Sequence, residues 1–374
     1  MICGPPATGG SFRVACDPPQ FGRPALHAVR HLRSLAFPQF GIPDVRHLRR
    51  SQPPFALRPL PELPDVTVYV DALRDRLIGR ELVSARLGSP FLLRTVDPPL
   101  SALIGKRVRG VERMGKRIVV ALNDDCFIVL HLMIAGRLHW TARGAKGSRR
   151  ASLAAFEFDS GTLTLTEAGS KRRASLYLVQ GRAALTEHDR GGLEVFEASL
   201  AEFAARLRSE NHTLNRALTD PRLFSGIGNA YSDEILHRAR LSPVKLTSRL
   251  TDDEAARLFD ATRAILTEWT DRLRAEAGGG FPENVTAFRT EMAVHGKFRQ
   301  PCPVCGTPVQ RIRYADNETN YCPTCQTEGK LLADRALSRI LKGDWPKSFD
   351  EWEMQTARLA KGEQQTADAN GEGD

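Results

Sequence analysis

The sequence predicts an α+β protein of several domains, in the order β-rich, helical and cysteine-rich. Three observations carry this prediction. Short apolar runs separated by turn residues lie between residues 116 and 166, helical spacing dominates from about Phe196, and two Cys-x-x-Cys pairs follow within 302–325. A chain of 374 residues, 41% of them hydrophobic and 26% charged, is long enough for two or three globular domains.

Composition also excludes several classes of protein. The chain has no apolar run close to the roughly eighteen residues that a membrane span needs, and its start lacks the apolar core of a secretory signal peptide. We therefore expect no membrane association and a reducing, cytoplasmic compartment, where the seven cysteines are thiols or metal ligands. The net charge of +9 favours a polyanionic partner only weakly, because solubility alone also explains such a surplus.

Residues 1–60 differ in composition from the rest of the chain. They contain 10 of the 23 prolines, 8 arginines, no lysine and only 2 acidic residues, with no sustained period of a strand or a helix. An arginine-rich, acid-poor leader is typical of an organelle transit peptide, but three serines are few for one. We expect residues 1–60 to be a non-native or disordered extension, and the folded chain to begin at Pro61.

Periodicity predicts the elements that follow. After Pro61 an apolar stripe at helical spacing runs from Val66 to Leu77 and stops at Gly79. Four short strands suggest a sandwich instead of alternating βαβ units; they are Lys116–Leu122, Cys126–His131, Leu153–Phe158 and Thr162–Thr166. Helices are predicted over 199–209, 214–219, 229–239 and 251–274, then a loop or hinge at 278–280, an amphipathic helix over 331–342 and a disordered acidic tail.

The two Cys-x-x-Cys pairs predict a zinc ribbon. Cys302 and Cys305 are separated by 16 residues from Cys322 and Cys325, and four thiolates at this spacing suit tetrahedral zinc. The segments 309–314 and 319–322 between them would pair as a hairpin. A redox site needs only one such pair. A closed set of four thiolates leaves no open coordination position, so we expect one structural zinc ion and no catalytic metal.

Three further motifs are weak when each is considered alone. Gly226-Ile-Gly-Asn229 precedes a helical run, where small residues let backbone amides face an anion and Asn229 adds a donor for a phosphate oxygen. Lys171-Arg172-Arg173 is a basic run that could track a DNA strand. His131 ends an apolar strand. Considered alone, the Gly-Ile-Gly-Asn motif is more often a loop-to-helix turn, the basic run a solvated turn and His131 a core histidine.

Taken together and in their order along the chain, these motifs indicate a protein family. Pro61-Glu-Leu-Pro-acid is followed by a lysine that opens a strand at 116, His-Leu-x-x-x-Gly-Arg-Leu from His131, the Gly-Ile-Gly-Asn motif and the four cysteines. This set resembles the formamidopyrimidine-DNA glycosylase/endonuclease VIII family of base-excision repair enzymes. The resemblance implies a β-sandwich with a flanking helix, a helix–two-turn–helix DNA-binding domain and a zinc ribbon, with DNA in the cleft between the first two.

The resemblance covers about 61–326 and implies a division of the chain. Its expected parts are the catalytic sandwich at 61–190, the helix–two-turn–helix domain at 195–297, the ribbon at 298–330, and an extra helix with the acidic tail at 331–374. It further implies a monomeric bacterial enzyme that acts at the nucleoid. The expected partner is double-stranded DNA that contains damaged bases or abasic sites.

The resemblance also implies the chemistry and the residues that perform it. A bifunctional DNA glycosylase/AP lyase of this family excises oxidised bases through a Schiff base on an N-terminal proline and then cleaves the strand by β,δ-elimination. Pro61 falls on the nucleophile, Glu62 on the adjacent general acid/base and Lys116 on a phosphate-contacting lysine near the damaged nucleotide. The other DNA contacts that it implies are His131, Arg172, Arg173 and Asn229.

Departures from the family pattern concern the substrate. Ile134 stands where most members have a methionine that wedges into the base stack, and Ala174 replaces an aromatic wedge. Asp65 replaces a glutamate, and Asn317 replaces the DNA-gripping arginine of the ribbon, for which Arg311 or Arg313 is a substitute. Because a wedge and this arginine are missing, a protein of the same fold that binds damaged DNA without cutting it is the alternative.

Pro61 itself is internal in the 374-residue chain. A tertiary amide joins it to Leu60, and the nitrogen lone pair of an amide is delocalised into the carbonyl. We therefore expect the active protein to begin at Pro61. Initiation at codon 60 with removal of the initiator methionine would give this terminus, and so would cleavage after Leu60.

Overall fold

The computed structural model describes five stretches of the chain and two single residues. They are 61–143, 152–168, 172–283, 289–314, 317–332, Glu351 and Met354. The expectations for residues 1–60, Lys171, the helix over 331–342 and the acidic tail concern residues outside these stretches, apart from residues 331 and 332 and those two single residues.

The sandwich begins with a helix and continues as two antiparallel sheets. Helix α1 (Leu63–Leu77) has Pro64 in its first turn and buries the predicted apolar stripe from Val66 to Leu77. The sheets have the strand orders β1-β6-β7-β5 and β2-β3-β4-β8. Their strands are β1 (Leu82–Leu87), β2 (Val108–Met114), β3 (Arg117–Leu122), β4 (Cys126–His131), β5 (Gly136–Ala142), β6 (Ser152–Phe158), β7 (Gly161–Glu167) and β8 (Ser175–Gln180).

Strand register brings several connections to one end of the sandwich. Arg117 at the start of β3 pairs with His131 at the end of β4, which pairs with Ser175 at the start of β8. The end of β1 pairs with the start of β6, which pairs with the end of β7, where the chain turns toward β8. We call this the cleft end; it comprises the β2–β3 turn, the β4–β5 and β7–β8 connections and the segment after β1.

The helical part follows a short helix, α2 (Arg182–Thr186). Its helices are α3 (Leu200–Arg208), α4 (Leu214–Thr219), α5 (Asn229–Ala239) and α6 (Asp252–Ala277). Ser199 and Thr251 each close a capping box with a glutamate three residues on, which fixes where α3 and α6 begin. Gly278 ends α6 at φ +54°, a conformation that glycine adopts without strain.

The cysteine-rich part is a hairpin followed by one helical turn. It consists of β9 (Gln310–Tyr314), β10 (Asn317–Tyr321) and α7 (Pro323–Thr327). Helix α5 binds the segment that precedes this hairpin. The buried carboxylate of Glu234, in α5, accepts the N–H groups of residues 293 to 295 at 2.8–2.9 Å. Asp233 accepts from His295 Nδ1 at 2.8 Å and from the backbone N–H of Asn320 at 3.0 Å. The hairpin is therefore fixed to the middle of α5.

Candidate active site

Glu62 occupies the point where α1 and α5 meet. Its side chain, only 2% exposed, accepts three backbone N–H groups at the start of α5: Gly228 at 2.7 Å, Ala230 at 3.0 Å and Tyr231 at 3.3 Å. A helix N-terminus favours a negative charge through its free amides and its dipole. The anion that the Gly-Ile-Gly-Asn amides face is therefore the carboxylate of Glu62.

Gly228 lets the carboxylate and an ammonium approach the same point. A Cβ at this position would lie 2.4 Å from both Glu62 Oε1 and Lys116 Nζ, so these atoms are no more than twice that distance apart. Burial lowers the pKa of Lys116, and the carboxylates of Glu62 and Asp65 partly offset this effect. The structure thus brings Glu62 and Lys116, 54 residues apart in the chain, to one site.

Asp65 binds the backbone of Glu62. Its carboxylate is fully buried, and Oδ2 accepts the backbone N–H of Glu62 at 3.0 Å. The pKa of Asp65 is raised to about 6, chiefly by burial and also by the charge of Glu62, while the hydrogen bond from the Glu62 N–H lowers it. Most family members have a glutamate at the position of Asp65. The shorter aspartate side chain still accepts the backbone N–H of Glu62, so this departure preserves the start of α1.

His131 lies at the cleft end as a neutral imidazole. Nδ1 accepts the N–H of Met133 at 3.1 Å, which leaves the proton on Nε2. Burial lowers the pKa of His131 to about 4, and the nearby Arg117 and Lys116 lower it as well. At neutral pH His131 therefore offers one N–H donor, which suits a phosphate oxygen.

The β7–β8 connection presents the two predicted arginines. The backbone N–H groups of Arg173 and Ala174 donate to the Glu167 carboxylate at 2.8–3.3 Å, and Arg172 and Arg173 are exposed. Ala174 is only 4% exposed. Its side chain belongs to the core of the sandwich, so the aromatic wedge of the family has no counterpart at this position.

Residues that the sequence did not reveal join the sandwich to the helical part. Arg113 donates to Ser225 Oγ at 3.2 Å and forms an ion pair with Glu194, while the Leu63 N–H donates to Gly226 O at 2.9 Å. Gly226 has φ +79°, and a Cβ there would lie 2.9 Å from Leu63 Cβ. No local pattern marks Arg113, because its partners lie 81 and 112 residues away in the chain.

Asn229 and the ribbon arginines complete the predicted set. Asn229 is half-exposed as the first residue of α5, beside the amides that hold Glu62. Asn317 pairs with Tyr314, whereas Arg313 pairs with Glu318 and Arg311 with Asn320. Directly paired residues share a face of the hairpin, and successive residues along a strand point to opposite faces. Because Asn317 pairs with Tyr314, Arg311 and Arg313 do not lie on the face of the hairpin that carries Asn317.

The four cysteines form a zinc site. Their Sγ atoms all lie within 4.8 Å of one another, with contacts of 3.4 Å between Cys305 and Cys322 and 3.9 Å between Cys302 and Cys325. Tetrahedral zinc with Zn–S bonds of about 2.3 Å requires S–S separations of about 3.8 Å, which the cluster matches. His237 Nε2 lies 3.3 Å from Cys302 Sγ and supports this ligand from α5.

We expect about one zinc ion per chain, lost when Cys305 is replaced by alanine. The variant should bind DNA more weakly while the sandwich stays folded, because the ribbon has its own small core around Val294 and Val309. Elemental analysis measures the zinc, and Cys126→Ala, which removes a buried thiol outside the cluster, is the matched control. Protein purified without a chelator that contains no metal would contradict the assignment.

Comparison with known proteins shows the family to which the chain belongs. Family models match in order the formamidopyrimidine-DNA glycosylase N-terminal domain over residues 60–174, its H2TH domain over 194–274 and the zinc finger found in FPG and IleRS over 299–327. A formamidopyrimidine-DNA glycosylase of Thermus thermophilus is 32% identical over 284 residues, which cover 72% of this chain and 100% of the relative. The protein belongs to the formamidopyrimidine-DNA glycosylase family.

Other family members agree in sequence and in fold. A formamidopyrimidine-DNA glycosylase of Solibacter usitatus is 30% identical over 277 residues, which cover 71% of this chain and 99% of the relative. The crystal structure of the Lactococcus lactis Fpg in complex with abasic-site DNA superposes with a TM-score of 0.63 at 25% identity, over 71% of this chain and 99% of that one. The predicted family, the α+β fold with its zinc ribbon and the structural zinc are confirmed. Among the described residues of this glycosylase-family protein, no helix is both long and apolar enough to cross a membrane.

Proposed function

We propose that the protein is a bifunctional DNA glycosylase and AP lyase that excises oxidised bases from double-stranded DNA. The observation that carries this proposal is the Glu62 carboxylate, buried on three amides beside Lys116 and directly preceded by Pro61. Relatives named formamidopyrimidine-DNA glycosylase and the Lactococcus lactis enzyme bound to abasic-site DNA support it.

Pro61 supplies the nucleophile once its nitrogen is a free secondary amine. The nitrogen attacks the sugar C1′ while the bond from C1′ to the base breaks, which yields an iminium ion (the Schiff base) after the ring opens. An α-amino group with a pKa of about 8 is partly neutral at pH 7, as a nucleophile must be. The iminium withdraws electrons from the C2′–H bond, so loss of that proton expels the 3′-phosphate by β-elimination, and δ-elimination follows.

Glu62 moves the protons in this sequence. Ring opening requires a proton at the sugar oxygen and elimination requires a base for the C2′ proton, and one carboxyl group can serve both steps in turn. Three amide donors fix its position without supplying a competing acid. Lys116, His131 and Asn229 are proposed to bind the phosphates near the lesion, and the exposed Arg172 and Arg173 to bind the strand from the cleft end.

The preferred lesion follows from the buried Ala174. Rotating a base out of the stack costs a few kcal/mol, and a wedge that fills the gap offsets part of this cost. Without an aromatic side chain at 174, we expect faster excision of ring-opened purines or oxidised pyrimidines than of 8-oxoguanine paired with cytosine. Single-turnover rates on three matched duplexes measure the order, and fastest excision of 8-oxoguanine would contradict it.

Borohydride trapping tests the function. A chain that begins at Pro61 should form a covalent adduct with duplex DNA that contains an abasic site, because borohydride reduces the iminium to a stable amine. The alternative is a protein of this fold that binds damaged DNA without cutting it, and the amide at Pro61 in the 374-residue chain favours it. A gel shift without an adduct would establish this binder.

A further inference from the structure

We propose that Phe91 and Arg94 form an additional DNA contact, on nucleotides that flank the lesion. Both residues lie in the segment after β1, which none of the motifs above includes. The proposal rests on the proposed function, since it requires DNA at the cleft end. It adds to that function a contact beside β8, at the edge of the sheet.

The position of the segment comes from its pairing with β8. Leu93 bridges to Leu176 in parallel, and the Arg94 N–H donates to Leu176 O at 2.8 Å. The segment therefore extends the row formed by β3, β4 and β8. At about 4.8 Å per strand, Arg94 lies three strands, or roughly 14 Å, from the strand that Lys116 opens. One DNA strand carries a phosphate every ~3.4 Å of helix axis, so this distance corresponds to about four nucleotides.

Phe91 is held in solvent by a segment that is itself fixed. The ring is 81% exposed, whereas Leu92 beside it is 2% exposed and anchors the segment in the core of the sandwich. Further along, Thr95 Oγ1 accepts the Leu178 N–H at 2.8 Å. Exposure of Phe91 is therefore not a result of a loose loop. A single exposed apolar side chain does not by itself require a partner, so the charge of the segment has to indicate one.

Charge indicates that the partner is DNA. From Arg86 to Val96 the sequence contains two arginines and no acidic residue, and both arginines are exposed. A polyanion satisfies these cations, while the deoxyribose and the base edges of a groove offer the apolar surface that suits Phe91. The segment also lies at the same end of the sandwich as His131, Arg172 and Arg173.

Binding measured against salt concentration separates the two contacts. On a long lesion-containing duplex, Phe91→Ala should weaken binding about tenfold without changing the salt dependence, because an apolar contact releases no counterions. Arg94→Gln should weaken binding and reduce the slope of log K against log salt by about 1. On a duplex truncated just outside the lesion, both variants should bind like the parent protein, while Lys116→Ala still binds more weakly.

Two matched variants serve as controls. Val96→Ala removes a side chain that is 94% exposed but lies further along β8 from the cleft end, and Arg109→Gln removes an exposed arginine at the opposite end of the sandwich. Both should bind like the parent protein.

Unchanged affinity in both Phe91→Ala and Arg94→Gln, with weaker binding by Lys116→Ala, would overturn this proposal and leave the proposed function intact. Unchanged DNA affinity together with an altered sedimentation coefficient in Phe91→Ala would show that the ring contacts protein, which also overturns it. A parent chain that binds no lesion-containing duplex would remove the proposed function itself.

Discussion

A chain that begins at Pro61 should form a borohydride-trapped adduct with abasic DNA at least about a thousandfold faster than the 374-residue chain does. In the longer chain the Pro61 nitrogen belongs to an amide, whose lone pair is delocalised and cannot attack a sugar. The two chains share the Glu62 site, so the comparison isolates the nucleophile. Adduct formation on a denaturing gel, over a time course, measures the rates.

Matched controls define what this result means. A chain that begins at Pro61 but is acetylated on the proline nitrogen keeps the three amides on the Glu62 carboxylate, and it should not be trapped, because an amide nitrogen cannot form an iminium ion. Sequencing the N-terminus of the protein from its native source shows whether Pro61 is the natural first residue. If a preparation with an intact Met1 cleaved abasic DNA, another residue would be the nucleophile.

Replacement of Glu62 by glutamine should slow strand cleavage by about a thousandfold at saturating DNA, since a positioned acid/base contributes roughly 10²–10⁴. The amide nitrogen of glutamine cannot accept from a backbone N–H, so at least one of three buried donors also loses its partner. That loss costs about 1–3 kcal/mol of stability. Single-turnover cleavage and thermal unfolding measure the two effects separately.

Glu234→Gln is the matched control for the loss of stability. Glu234 is also a buried carboxylate that accepts three backbone N–H groups, but it holds the segment before the ribbon. Its variant should unfold at a similarly lowered temperature and still cleave at the parent rate once DNA is saturating. If Glu62→Gln cleaved as fast as Glu234→Gln, the proton transfers would belong to another group.

The strands show where prediction from this sequence succeeds and fails. The four predicted strands, β3, β4, β6 and β7, are the central strands of the two sheets, and the four that were not predicted, β1, β2, β5 and β8, are their edges. Of these central strands, β3 and β4 carry nearly continuous apolar runs and β7 alternates strictly between apolar and polar residues, and both patterns predict a strand. The edge strand β1 buries only Leu82, so charged and polar residues obscure its pattern. β8 is the exception, because its apolar run matches that of a central strand.

The site divides in the same way between local pattern and tertiary contact. The order of motifs along the chain indicated Glu62, Lys116 and the cysteines. It did not indicate that the amides near Gly228 bind Glu62, since 166 residues separate the two. The ion pair between Arg113 and Glu194 depends equally on how two domains meet. Periodicity reports which residues are buried, whereas such contacts require the relative placement of distant elements.

Helix α5 joins two parts of the protein that perform different tasks. Within eleven residues its first turn holds the Glu62 carboxylate, its middle binds the ribbon through Asp233 and Glu234, and His237 near its end contacts a cysteine of the zinc cluster. A change in the orientation of this helix would move the Glu62 carboxylate and the cysteine-rich hairpin together. A substitution that tilts α5 would therefore alter both sites at once. Engineering of the ribbon for new DNA contacts should leave Asp233, Glu234 and His237 unaltered.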